Sequence, residues 1–356
     1  MKIAGMGVVF ARGRGIDALE QALKQGWVPP VERVSPGVGQ ERTPSYCVDQ
    51  ASMADKAVLK RMRRADRFSR MAALAAWDAA ADAGVPDQAG GADLGIILAT
   101  AFGPQATAFR FLDEIMDHGD GRASPTLFSH SVHNAAASYV ASALNSQGPT
   151  LTVTQFSFSF HQALLLADAW LEEGRCERVL VGSVEEGGSV LEYIFRRKLR
   201  TPEDGRIRPF GFSASPAAVP GEGSVFLMLS RDDAPGGHCR IAGVSFDDGA
   251  DAGTADLYLL DADGMSGDER DYGRIAGREV VIAGYSPLFG SMMTGSAFHC
   301  ATAALILTRQ TRYACPVQDN PHGARICAET GEVETGTIRC IRYDCQRERA
   351  VIELER

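Results

Sequence analysis

Short, continuously apolar runs alternate with alanine-rich stretches of helical period along most of this chain. That alternation constrains the fold more than any other feature. The runs "MKIAGMGVVF", "ADLGIILAT" and "CERVLVGSVEE" are apolar on both sides, and "PTLTVTQ" is rich in β-branched residues. Strands of this kind must be covered on both faces, which predicts a parallel or mixed sheet between helical layers. The intervening segments "GIDALEQALKQG", "RFSRMAALAAWDAAADAG", "ATAFRFLDEIMDHG" and "SVHNAAASYVASALN" read as helices, each closed by Gly or Asn.

A second set of elements begins near residue 239. It has the strands "CRIAGVSF", "REVVIAGYS", "GTIRCIRYDC" and "RAVIELE", and the helix "SAFHCATAALILTRQ". Two helices match each other: "SFHQALLLADAWLEEG" at 159 and "AFHCATAALILTRQ" at 297 each place Phe-His, one residue, then Ala before an apolar helix. Their equivalent positions in two βα-rich halves suggest an internal duplication. The expected division is 1–238 and 239–356, joined through the Asp/Pro/Gly-rich "SRDDAPGGH", with "GFSASPAAVPGEG" as a loop mid-chain.

The formal charge of the 356 residues is −9, which argues against nucleic acid as a partner. One segment departs from that balance. "KRMRRADRFSR" (60–70) carries six basic side chains, read either as a solvated loop and helix start or as a docking patch for an acidic partner. The eight cysteines form no CxxC pair, no secretory signal is present, and no run of 18 apolar residues occurs. The expectation is reduced thiols in a cytosolic protein with no membrane span. No cofactor is expected, because "GMGVV" is too short for a dinucleotide fingerprint. His130 and His133, in "HSVH", lack a third ligand of sensible spacing, so a structural role is preferred to a metal.

Residues 152–164 read "TVTQFSFSFHQAL". A strand runs into a short polar bend that opens a helix, the elbow on which many enzymes mount a nucleophile. Ser157 occupies the bend, among Phe156, Phe158 and Phe160. If the helix has begun at Ser157, His161 shares its face and is a candidate base for a serine acyltransferase or hydrolase. Neighbours one turn apart do not usually aim imidazole at hydroxyl, and no acid is evident to orient the ring. The alternative for His161, and for His299, is a structural histidine paired with a backbone carbonyl.

The segments "RRADRFSRMAALAAWDAAADAG", "LATAFG", "SPTLFSHSVHNAAASYVASALNSQGPTLTVTQ" and "RPF…PGEGSVFLML" resemble the β-ketoacyl synthases, condensing enzymes of fatty acid and polyketide synthesis. The likeness is continuous from about residue 60 to 230 and resumes more loosely from about 280. It implies an α/β, thiolase-like fold of two duplicated βα halves layered αβαβα. Only about forty residues separate Gly223 from Asp263, so a helix-sized piece of the second half is expected to be missing.

The family's chemistry makes demands that can be checked residue by residue. It needs a cysteine at the elbow, where a helix N-terminus brings a thiol from about 8.5 into the reactive range. That position falls on Ser157, a far weaker nucleophile without a base beside it. It needs two histidines that donate to the malonyl thioester during decarboxylation. These fall on Asp263, in "ADGMSGD", and on Ser291, in "FGSMMTGSA". A lysine just upstream falls on Ser286, and the glycine-rich gate near the end is replaced by "YDCQRER". A carboxylate at 263 opposes a developing enolate where donors are required. The substitutions together imply that condensation chemistry is lost.

Relatives lacking the cysteine are the chain-length factors, which pair with an active ketosynthase and shape the pocket into which the chain extends. "GSMMTGSAF" resembles this branch, and the aryl polyene type within it. The resemblance implies a non-catalytic subunit that forms a heterodimer with an active β-ketoacyl-ACP synthase and is served by an acyl carrier protein. Phe102, Phe109 and Leu112 are then expected to line the tunnel at the subunit interface. Phe156, Phe158 and Phe160 are expected to fill the volume an acyl thioester vacates, with ordinary packing as the alternative for all six. An orphan homodimeric scaffold is the remaining reading.

Overall fold

The computed structural model describes all residues except 35–41, 86–90, 214, 216, 233–235, 248–253 and 267–269. Parts of the expected linker at 230–238 and of the mid-chain loop therefore lie outside the described residues. The chain opens with β1 (Lys2–Phe10) and α1 (Ile16–Gln25). α2 (Arg67–Asp82) starts where Asp66 accepts a hydrogen bond from the Ser69 N–H at 2.9 Å, an N-cap in the usual geometry. Its alanines explain the first layer. A Cβ on Gly7 would stand 2.0 Å from the Ala75 carbonyl oxygen, and one on Gly5 would stand 2.4 Å from that of Ala79. The helix backbone thus lies directly on β1, which only small residues on both sides permit.

The remaining large elements follow in βα order. They are β2 (Leu94–Ala99), α3 (Gln105–His118), α4 (Ala135–Leu144), β3 (Thr150–Val153), α5 (Ser159–Glu172), β4 (Arg178–Glu185) and β5 (Gly223–Ser230). The second set is β6 (Cys239–Asp247), β7 (Leu257–Leu260), α6 (Tyr272–Ala276), β8 (Ile282–Ala283), α7 (Ser296–Arg309), β9 (Thr337–Tyr343) and β10 (Arg349–Glu355). The strand expected over "REVVIAGYS" is only two residues long.

The strand order bears on the suspected duplication. The first five strands run β1-β5-β4-β2-β3 and the second five run β6-β10-β9-β7-β8. β2 is parallel to β3 and β4, while β5 is antiparallel to β4 and β1. β7 is likewise parallel to β8 and β9, and β10 antiparallel to β9 and β6. The two halves have one topology. α5 after β3 and α7 after β8 occupy equivalent places, so the two Phe-His helices correspond. A short antiparallel pairing, Lys2 with Arg240 and Ile3 with Cys239, joins the halves into one sheet.

α5 and α7 share one apolar core with strands of both halves, while α2 and α4 cover the outer face of the first half through a second core. The outer layer of the second half is thin. Between β1 and β2 the chain carries α1 and α2, whereas only residues 248–256 separate β6 from β7. No counterpart of α2 lies between these strands among the described residues. On strands of this half Arg339 Nε stands 2.6 Å from Glu353 and Arg240 Nη1 stands 2.9 Å from Glu355.

Candidate functional site

The elbow after β3 turns on Phe156, whose φ of +44° lies where bulky side chains are rarely found. Consecutive side chains leave it in opposite directions. Phe156 is 63% exposed, its ring edge-on to Phe102 at 6.1 Å between centroids. Ser157 points inward, its Oγ donating to Met293 Sδ at 3.5 Å. Ser159, which the sequence reading passed over, pins the bend. Its Oγ accepts from the Gln155 N–H at 2.7 Å and lies 3.1 Å from the Thr100 carbonyl oxygen.

Two expectations fail here. The α-helix begins at Ser159, so Ser157 sits in a preceding single turn, off the face that carries His161. His161 is fully buried, and neither ring nitrogen has a hydrogen-bond partner among the described residues. It is neither a base for Ser157 nor paired with a carbonyl. Phe158 and Phe246 box it in, with ring centroids at 5.7 and 6.1 Å. Burial pushes the imidazole down to about 3, with Arg342 adding to the shift and Asp261 opposing it.

The expected filling also has different authors. Phe160 belongs to the main core and Phe158 packs on His161 and Phe246, while Phe156 faces outward because the positive φ turns it away. The cavity next to the elbow is lined instead by Phe102, Met265, Met292 and Met293, with Glu185 and Ser291. Its volume is about 20 Å³, room for one water and not for an acyl chain. Glu185 accepts from the Ala101 N–H at 2.6 Å, and burial outweighs that bond to raise its carboxyl to about 7.

Asp263, Ser291 and Ser286 all lie inside the fold. Asp263 is buried, its Oδ2 2.9 Å from Arg342 Nη1 and its Oδ1 accepting from the Met265 N–H at 3.0 Å. Burial raises its carboxyl to about 6, against the pull of Arg342 and with a push from Asp261. Ser291 Oγ donates to the Asp263 carbonyl at 2.5 Å and accepts from the Val219 N–H at 3.0 Å. Ser286 is fully buried, its hydroxyl without a partner among the described residues.

Arg342, at the end of β9, is fully buried and also reaches Asp261 at 3.0 Å. Burial works against its charge, but the two carboxylates outweigh it and hold the guanidinium protonated. His299 accepts from the Tyr285 N–H at Nε2, 3.3 Å. Its proton therefore sits on Nδ1, 3.4 Å from Asp261. The expected carbonyl partner is not there.

A larger opening of about 400 Å³ lies on the other side of Met265, with Arg206, Arg208, Arg270, Phe212 and Cys345 among its walls. Met265 lines both this cleft and the small cavity. α3 turns Phe109, Leu112 and Met116 outward, 40, 51 and 84% exposed at a helical spacing of three and four. Leu151 on β3 is also exposed, and β3 is the last strand of its end of the sheet.

The basic segment divides between the two readings given it. Arg61 stacks on Trp77 at 4.9 Å, Arg67 pairs with Glu222, and Arg70 donates to the Ala65 carbonyl at 2.8 Å. Lys60, Arg63 and Arg64 remain exposed. His130 bonds the Tyr139 hydroxyl at 2.8 Å, and the His133 ring lies against Gly103.

Comparisons with known proteins bear on what this arrangement descends from. Residues 1–234 match the model for the β-ketoacyl synthase N-terminal domain. A curated relative, the pikromycin polyketide synthase component PikAIII of Streptomyces venezuelae, is 30% identical over 189 residues, half of this chain and 11% of that protein. The chain thus spans about a tenth of that relative's length. Among solved structures, the ishigamide ketosynthase/chain length factor superposes with a TM-score of 0.80 at 16% identity, covering 99% of this chain and 98% of that one. A β-ketoacyl synthase from Burkholderia phymatum STM815 gives 0.80 at 19% over the full length of both. The AntDE ketosynthase in complex with the acyl-carrier protein AntF gives 0.78 at 14%, covering 99% and 98%. Among the described residues no helix is long and apolar enough to cross a membrane.

Proposed function

Because the chain belongs to the β-ketoacyl synthase family, we propose that it is a non-catalytic subunit of the chain-length-factor type. In this reading it pairs with an active ketosynthase and forms part of the wall of the tunnel that receives a growing acyl or polyene chain, as in the aryl polyene branch. One observation carries the reading. The positions that would do the chemistry are locked into internal contacts, while an apolar stripe on α3 and Leu151 on the edge strand β3 are left facing outward. The matched fold of a ketosynthase/chain length factor supports the pairing. The match to a ketosynthase complexed with its acyl-carrier protein, and the exposed Lys60, Arg63 and Arg64, support an acidic carrier as the third participant.

The test is recovery of the tagged protein from its host. A cysteine-bearing ketosynthase is expected in near-equal amount. A clean homodimer would sink the reading, and an acyl adduct on Ser157 would replace it with the serine acyltransferase. Phe109→Asp combined with Leu112→Asp should weaken the pairing by on the order of 100-fold or more, since buried anchors of this kind contribute about 2 kcal/mol each. Thermal stability of the isolated chain should be nearly unchanged.

Ser157→Ala should leave the activity of the assembled complex intact. Ser157→Cys alone should not confer condensation, because positions 263 and 291 still lack donors for an enolate. Condensation by that variant without a partner would contradict the non-catalytic assignment.

A further inference from the structure

The turn at 263–265 is held from three directions. Asp263 Oδ1 accepts from the Met265 N–H at 3.0 Å, Ser291 Oγ donates to the Asp263 carbonyl at 2.5 Å, and the Ala217 N–H donates to the Gly264 carbonyl at 3.1 Å. Gly264 has φ of +85°, and a Cβ there would meet the Ala217 carbonyl oxygen at 2.1 Å, so the backbone has little room to shift. The Met265 side chain is buried against Phe195 and Ala218, with Leu199 and Met293 packed on the same cluster. Two of the replaced catalytic positions, 263 and 291, are thus the residues that fix this methionine. On one side of it is the 400 Å³ cleft, and on the other the 20 Å³ cavity, whose lining residue Met293 is in contact with the Ser157 hydroxyl.

The opposite wall differs. Phe102 lines the same cavity, and Phe156 packs edge-on against it, exposed and held at a conformation that disfavours its side chain. A strained, exposed aromatic beside a cavity is a weak wall, since little packing opposes its movement.

We propose that Met265 is a fixed stopper that cuts this chain's own cleft off from Ser157, so that an acyl chain can approach Ser157 only from the subunit face, past Phe156 and Phe102. The first half stands on the geometry alone, and the second rests on the paired-subunit reading above.

The experiment is thiol labelling of Ser157→Cys with iodoacetamide, followed by peptide mass spectrometry. The native Cys345, exposed on the rim of the cleft, is the internal reference. The thiol at 157 should react at least about tenfold more slowly than Cys345, since it waits on local opening. Adding Met265→Ala should close most of that gap, and adding Met265→Leu should not. Adding Phe156→Ala should also speed labelling in the isolated chain, and the co-purified ketosynthase should suppress that gain while leaving the Met265→Ala gain in place.

A thiol at 157 that reacts as fast as Cys345, or one that Met265→Ala leaves slow, overturns the stopper whether or not a partner binds. A ketosynthase that gives no protection to the Phe156→Ala protein overturns access through the subunit face while the Met265 result stands. Failure to recover any ketosynthase counts against the paired-subunit reading instead.

Discussion

Arg342→Met is expected to cost about 3–5 kcal/mol of folding stability, the usual loss when one member of a buried charge cluster is removed. Arg342 is fully buried, and its Nη1 stands 3.0 Å from Asp261 and 2.9 Å from Asp263. Without it two carboxylates remain in the interior with no cation between them. Asp263 is already held at about 6 with Arg342 present, so losing the arginine drives it further up. A carboxyl raised above its unfolded value favours the fold below that value, and the benefit is lost as pH rises through the folded one. The gap between variant and parent should therefore narrow as pH falls from 7 toward 5 in urea unfolding. Adding Asp261→Asn and Asp263→Asn should recover much of the loss at pH 7. A single variant as stable as the parent would mean that the carboxylates are satisfied in some other way.

His161→Leu should stabilise the protein, most of all in acid. The ring is fully buried with both nitrogens unpartnered among the described residues, and relieving such groups is worth about 1–3 kcal/mol. Leucine has nearly the same volume, so little cavity or overpacking arises. The imidazole's folded value is about 3 against about 6.5 when unfolded. A base so depressed contributes fully above the unfolded value and loses stability as pH falls toward the folded one, because the unfolded chain takes up the proton first. At pH 4.5 that loss is about 3 kcal/mol, two units at about 1.4 kcal/mol each. The advantage of the leucine variant should grow by this amount between pH 7.5 and 4.5. A constant difference across that range would show that the ring reaches solvent.

Much of the fold was legible because its signals are local. Apolar runs flanked by helical periods gave each large strand and helix, and the repeated Phe-His pair pointed to the duplication that the strand orders of the two halves repeat. The residue types at 157, 263 and 291 were legible outright, because a residue type is either present or absent. Less legible was where the α-helix starts at the elbow. It separated Ser157 from His161 and depended on Ser159 tying the bend to Thr100, a residue outside the elbow. A signal for the buried ion cluster did exist, in the arginine of the otherwise apolar "TIRCIRY" and the paired aspartates that follow "LYLL".

By itself, then, the sequence determined the layered α/β architecture and its internal repeat, since both are written in local pattern. Only the tertiary structure decided what Ser157, Asp263 and Ser291 touch. Arg342 meets Asp263 from 79 positions away, and Ser157 meets Met293 from 136. Whether a side chain faces core, cavity or solvent depends on backbone turns such as the one at Phe156, where one positive φ sends an aromatic ring outward that its composition would place inside.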